Sequence, residues 1–275
     1  MTHSPDDNDG PPPGGSRPPV PPAAIERPDV LAERLARIEA LLTTPARGTF
    51  DEAEHRLLPA WRRATRGEPR WAATSAVVAV LVIQWVLPAR LVVPPRPLMP
   101  AVELALLACL IILNPHRIER HSRVYQVVGL TLTGIIGGAN AYSAVRLIGG
   151  VVRGTDGESA GHLLLNGGGI WLTNTAIFAL LYWELDRGGP AARAAGERPV
   201  PDFLFVQMQS PDLAPPHWEP AFLDYFYLSF TNSTAFSPTD VMPVTRKAKL
   251  WMLVQSAVSL VVVVLVVARA VNILD

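Results

Sequence analysis

The run from Leu250 to Ala268 is almost purely apolar. A segment of about 20 such residues, at 1.5 Å rise each, is what crosses the hydrocarbon core of a bilayer. The run is rich in valine, which in water favours a strand. In lipid, every backbone N–H and C=O needs a partner inside its own segment, so the run predicts a helix. Ahead of it stand an aromatic segment, Phe222-Leu223-Asp224-Tyr225-Phe226-Tyr227-Leu228-Ser229-Phe230, and a polar loop, Thr231-Asn232-Ser233-Thr234-Ala235-Phe236-Ser237-Pro238-Thr239-Asp240. A hydrophobic hairpin around a threonine-rich loop brings polar backbone to bilayer depth. Irregular backbone survives there only under cover of protein or beside a water-filled cavity. The expectation is an all-α, polytopic integral membrane protein with a re-entrant or interfacial segment near residues 221–240.

Five spans follow from the apolar blocks: about Trp71–Val93, Leu98–Leu113, Val124–Ile148, Leu163–Leu185 and Lys249–Ile273. Residues 1–28 are rich in Pro, Gly and Asp and cannot bury enough apolar surface to order themselves. Residues 29–70 read as an amphipathic helix, Asp29–Leu42, with Leu31, Leu35, Ile38 and Leu42 on one face, then an Arg-rich approach. That helix suits a membrane surface, the surface of the protein itself, or a short coiled-coil clamp between subunits. The remaining divisions are a four-span region at 71–186, a Pro-rich loop at 187–220, and the hairpin with the last helix at 221–275.

Lys and Arg in short loops set orientation. The approach to span one, the loop His116–Arg123, the segment with Arg187, Arg193 and Arg198, and the Arg246–Lys249 approach are all basic. They predict a multi-pass plasma-membrane protein with a cytoplasmic amino terminus. The start shows neither the basic nor the apolar region of a signal peptide, so insertion would rely on the first span. The Ala, Arg and Pro bias suggests a bacterial chain.

Charge excludes one partner class. With 24 basic and 24 acidic residues the formal net charge is zero, which gives no electrostatic case for nucleic acid. No His-Glu-x-x-His, Cys-x-x-Cys, P-loop or Gly-x-Ser-x-Gly sequence occurs, so no enzyme, metal or cofactor is expected. Cys109 is the single cysteine. Charges inside spans are costly. Glu103 and Arg146 stand near the same end of adjacent antiparallel spans, so an intramembrane ion pair is expected between them. Gly134 and Gly138 form a small-xxx-small pattern, which suits internal helix packing or a dimer face.

The residues Tyr225 through Arg269 resemble the pore module of potassium-channel-like proteins. Ser229-Phe230-Thr231, Thr234, Asp240 and Pro243-Val244-Thr245 stand at corresponding places. The whole chain also looks like uncharacterised multi-span bacterial membrane proteins that share a Thr-Ala-Phe-Ser-Pro-Thr-Asp loop. The resemblance implies a pore helix, a filter segment and an inner helix, assembled as a symmetric homo-oligomer around a monovalent-ion path. Its loop would run through Thr231, Ser233, Thr234, Ser237, Thr239 and Asp240. The family's Val-Gly-Tyr-Gly is replaced by Ala235-Phe236-Ser237-Pro238-Thr239, where Cβ atoms and a proline resist the filter's backbone angles. The filter is therefore non-standard. The alternative function is a non-conducting membrane scaffold that holds partners through the tail and its helix.

Overall fold

The computed structural model describes residues 67–113, 123–154, 159–196, 198, 200–210, 213–215, 218–234 and 240–274. The tail, the helix expected at Asp29–Leu42, Arg62, Arg63 and Arg66, His116 and His121, and Ser237 and Thr239 lie outside the described residues. Among the described residues eight α-helices carry the fold. In chain order they are α1 (Trp71–Val86), α2 (Leu98–Leu113), α3 (Arg123–Arg153), α4 (Ala160–Leu185), α5 (Pro190–Ala194), α6 (Val206–Gln209), α7 (Phe222–Ser233) and α8 (Arg246–Leu274). Among the described residues three segments are long and apolar enough to cross a membrane: Val124–Arg153, Ala160–Gly188 and Arg246–Ile273. Helices α1 and α2 have 16 residues each, roughly 24 Å against a core of about 30 Å.

The helix ends follow local chemistry. Helix α1 stops at Val86, short of the expected Val93, because Pro88 forces Leu87 out of the helical region to φ −56°, ψ 143°. Helix α3 runs through Gly149 and Gly150 and closes at Gly154, which takes φ 65°. Ser159 caps α4 by accepting the His162 N–H. The Thr245 hydroxyl accepts the Ala248 N–H at 3.2 Å and opens α8. The valine-rich last segment is helical throughout.

Among the described residues two three-residue strands depart from the expected all-helical fold. Phe203–Phe205 (β1) pairs antiparallel with Val241–Pro243 (β2), Phe203 opposite Pro243 and Phe205 opposite Val241. Both phenylalanines point inward, Phe203 against Tyr182 and Tyr225 and Phe205 against Trp218 and Tyr225. The pairing holds the segments before α7 and before α8 together.

The bundle has two ends. At one, here called basal, Arg70 before α1 donates to the Leu110 carbonyl near the end of α2. There too, Gln126 at the start of α3 donates to the Gly188 carbonyl just past α4. Thr245 at the start of α8 donates to Asp202 beside β1. The far end is an apolar cluster of Leu87, Leu91, Leu147, Leu163, Val266 and Ala270. Arg70, Arg187, Arg193 and the Arg246–Lys249 approach thus share the basal end.

Close helix contact uses glycines other than those expected. Gly134 and Gly138 face open space, with nothing within 4 Å of an added Cβ. At Gly167 an added Cβ would stand 2.7 Å from both methyls of Val266, so α4 and α8 touch there backbone to side chain. Gly167→Ala is expected to lose about 1–3 kcal/mol by overpacking, and Gly138→Ala to stay within about 0.5 kcal/mol of wild type. Thermal unfolding in detergent reads both; equal losses would refute the assigned contact.

Candidate functional site

Helix α7 lies against α4 and α8 through a seam of polar groups centred on Gln255, which is fully buried. Its amide nitrogen donates to the Ser229 carbonyl (2.9 Å), the Ser229 hydroxyl (2.6 Å) and the Ser233 hydroxyl (2.6 Å). Its carbonyl accepts from the Tyr182 hydroxyl (2.6 Å) and from Asn232 (2.8 Å). Around this centre Ser229 donates to the Thr175 carbonyl, Asn232 to the Met252 carbonyl, and Asn174 to Ser259. Ser229, Asn232 and Ser233 share one face of α7 because they stand three and four residues apart. The sequence signal was available: Gln255 is the single amide in the Leu250–Ala268 run, and membrane helices use such groups across interfaces.

Of the loop candidates, Thr231, Ser233 and Thr234 are engaged by this seam and by their own helix. Thr231 back-bonds to the Tyr227 and Leu228 carbonyls, both at 3.0 Å. The Ser233 hydroxyl lies 3.0 Å from Thr175 Oγ1 and accepts from Gln255. Thr234 donates to the Thr231 carbonyl at 2.9 Å. The last carbonyls of α7 are closed as well. Phe230 accepts the Thr234 N–H, Asn232 accepts Ser256 at 3.3 Å, and Ser233 accepts the Trp171 indole N–H at 3.3 Å. Asp240 hydrogen-bonds Tyr227. Ser233 and Thr234 head a groove of about 440 Å³, otherwise apolar and walled by Leu164, Gly167, Gly168 and Trp171 of α4 and by Leu260 to Val267 of α8.

Glu103 and Arg146 are not brought together. Glu103 is fully buried and accepts from the Gln84 amide at 3.1 Å. Arg146 is exposed and its Nε donates to the Arg90 carbonyl at 3.2 Å. Among the described residues no ion pair joins them. Equal depth on neighbouring helices does not fix azimuth: Glu103 turns inward and Arg146 turns out.

The basal end holds a charged junction that motif and pairing rules passed over. The Glu68 carboxylate accepts the Phe222 N–H at 2.9 Å, the Trp183 indole N–H and Arg193 Nη2 at 3.3 Å. It thereby caps the positive end of α7, with Asp224 accepting the Ala221 N–H at 2.8 Å beside it. Arg193 caps the other polarity, donating to the Trp183 and Asp186 carbonyls at the end of α4, and it stacks 5.0 Å over the Tyr225 ring. Tyr225 donates to Asp186 at 2.6 Å, and Asp186 accepts the Asp202 N–H at 2.7 Å. Burial pushes the Glu68 carboxyl above its ordinary value, against the pull of Arg193. Burial also disfavours the Arg193 cation, but Tyr225, Glu68, Asp186 and Glu184 outweigh it and raise its pKa. The two shifts are consistent because several acids crowd one guanidinium. The cation is held, and the surplus carboxylate is not.

No group of three or more His, Cys, Asp or Glu among the described residues has the placement to hold a metal ion. No protein-family model, curated protein or solved structure matches this chain. What the fold and the seam define is a class: a helical membrane protein with a short helix packed between two long ones.

Proposed function

We propose that the chain is a multi-pass membrane protein whose α7–loop–β2 segment is a re-entrant hairpin of the pore-loop kind, entering and leaving at the basal end. One observation carries this reading. Helix α7 has 12 residues, about 18 Å by helical rise, and β2 beyond it pairs with β1, against which the first turns of α7 also pack. The charge pattern of the basal end favours the cytoplasm for that face, with α1 and α2 as two thinner crossings. Conduction of a monovalent ion would need several copies around an axis, with the loop between Thr234 and Asp240 facing it.

A specific observation favours the second reading, a non-conducting scaffold. The Thr231, Ser233 and Thr234 hydroxyls, together with the Phe230, Asn232 and Ser233 carbonyls, already have partners within one chain. A pore would leave such groups free to replace an ion's water. The deciding experiment reconstitutes the protein into liposomes and measures potassium and sodium efflux, with its mass in native-like nanodiscs in parallel. A symmetric oligomer with cation efflux supports the channel. A monomer, or vesicles as tight as protein-free ones, leaves the scaffold. In a Cys109→Ala background, a cysteine at Ser237 should react with an impermeant maleimide only from the side carrying the basal loops. Reaction from the opposite side ends the re-entrant reading.

A further inference from the structure

Among the described residues three buried side-chain oxygens have no hydrogen-bond partner: Glu103 Oε2, Thr173 Oγ1 and Glu184 Oε2. Their residues are 0%, 1% and 3% exposed. Such groups are rare in folded proteins, and water or an ion is the usual explanation. They are also ordered along the bundle. Glu184 stands near the basal end, where an added Cβ on Gly129 would lie 2.7 Å from its Oε1. Gly137 meets Ile177 at 3.6 Å, so the antiparallel α3–α4 register brings Thr173 level with about Asn140. Glu103, held by Gln84, reaches the same height. Gln84 shares a small cavity with Ala139 and Ser143.

Between these levels the buried side of α3 is unusually polar for a membrane helix, with Thr133, Asn140 and Ser143 each at most 5% exposed. At the basal level Glu184 lines a small cavity of about 30 Å³ with Arg70, Thr74, Tyr125 and Thr133. That volume admits a water molecule. The charged and titratable groups facing Glu184 are Arg70 before α1, Tyr125 on α3, Glu68, and Arg193 on α5. Around Glu103 the nearby cations look elsewhere. Arg96 donates to the Trp85 and Leu87 carbonyls, and Arg146 to Arg90.

We propose that Glu103 and Glu184 are the two carboxyl stations of a proton path through the α1–α4 bundle, with water at Thr133, Asn140, Ser143 and Thr173 between them. The ligand is a proton rather than a metal cation. A hard cation needs several oxygen ligands, whereas at Glu103 the neighbouring amide presents a donor. Each carboxyl accepts a proton on its unpartnered oxygen and gives one up from the same group, so nothing is consumed. The tightest step lies at Ile136, fully buried between Thr133 and Asn140, which stand about 10 Å apart along α3. The path lies within one chain and does not depend on conduction at the hairpin.

The test uses the full chain in liposomes with a trapped pH-sensitive dye and a potassium diffusion potential set by valinomycin. Proton uptake is expected to exceed that of protein-free vesicles several-fold. E103Q and E184Q should each return it to the protein-free rate, and T173V should lower it partly. An apolar carbodiimide should block uptake in the wild type and add mass to the peptide carrying Glu103, a readout that needs no variant to fold. Wild-type vesicles as proton-tight as empty ones would overturn the proposal. So would E103Q vesicles, correctly folded by circular dichroism, that keep the wild-type rate.

Discussion

Replacing Gln255 with leucine is expected to cost the fold on the order of 3–5 kcal/mol, as several buried polar groups lose their partner at about 1–3 kcal/mol each before relaxation. The Gln255 side chain is bonded by Tyr182, Asn232, Ser229 and Ser233 at 2.6 to 2.9 Å. Leucine fills much of the volume but leaves the Tyr182 hydroxyl and one Asn232 N–H pointing at methyl groups. In a membrane interior the gross figure is reduced, because the unfolded reference also finds partners and single bonds average about 0.6 kcal/mol. Even so, five bonds lost together stand apart from any lipid-facing change. Leu253, 67% exposed on the same helix, is the control, and Leu253→Ala should stay within about 0.5 kcal/mol. Thermal unfolding in detergent, followed by circular dichroism, compares the two. If Gln255→Leu melts with Leu253→Ala, the seam is not what holds α7 in place.

How far the sequence reached can be judged from particular residues. The valine run became a helix because lipid leaves a single segment no other way to satisfy its backbone. The end of α1 was legible too, but only to a reader who let Pro88 outrank the apolar residues after it. The strands were hidden. Phe203-Leu204-Phe205 is too short to carry a period, and its pairing with Val241–Pro243 spans 38 residues of chain by register. The candidate site fared unevenly for a similar reason. Hydropathy gives depth along a helix, not rotation about it, so Glu103 and Arg146 looked like partners although one faces in and the other out. Gly134 and Gly138 show the same limit: neither meets another helix of its own chain, and the close helix contact fell to Gly167. Glu68, Arg193 and Tyr225 were out of reach because their meeting depends on the chain turning twice between α4 and α7.

Arg193→Met should be the most damaging change at the basal end, by about 3–5 kcal/mol, the usual cost of removing one member of a buried ion pair. The guanidinium has several duties at once. It pairs with Glu68, closes the Trp183 and Asp186 carbonyls at the end of α4, and covers the Tyr225 ring. Methionine keeps the stem but leaves Glu68 without its buried ion-pair partner and Glu184 with Arg70 as its neighbouring cation. Adding Glu68→Gln should therefore recover part of the loss, because the uncompensated carboxylate goes with it. Stability against pH supplies an independent check. Burial holds the Glu68 carboxyl above its ordinary value of 4.5, so the folded chain takes up that proton before the unfolded chain does. Stability contributed by this group then rises as the pH falls through the folded value, and levels off below the unfolded one. The rise should be larger in Arg193→Met, where the guanidinium no longer opposes protonation of Glu68, and smaller in the double variant, where Glu68 no longer titrates. Melting temperatures of the three proteins between pH 8 and about pH 4, on the acid side of the carboxylate range, measure it. A wild type that loses stability over that interval, with Glu68→Gln removing the loss, would mean that the ion pair outweighs burial. Glu68 would then be a clamp held by its charge.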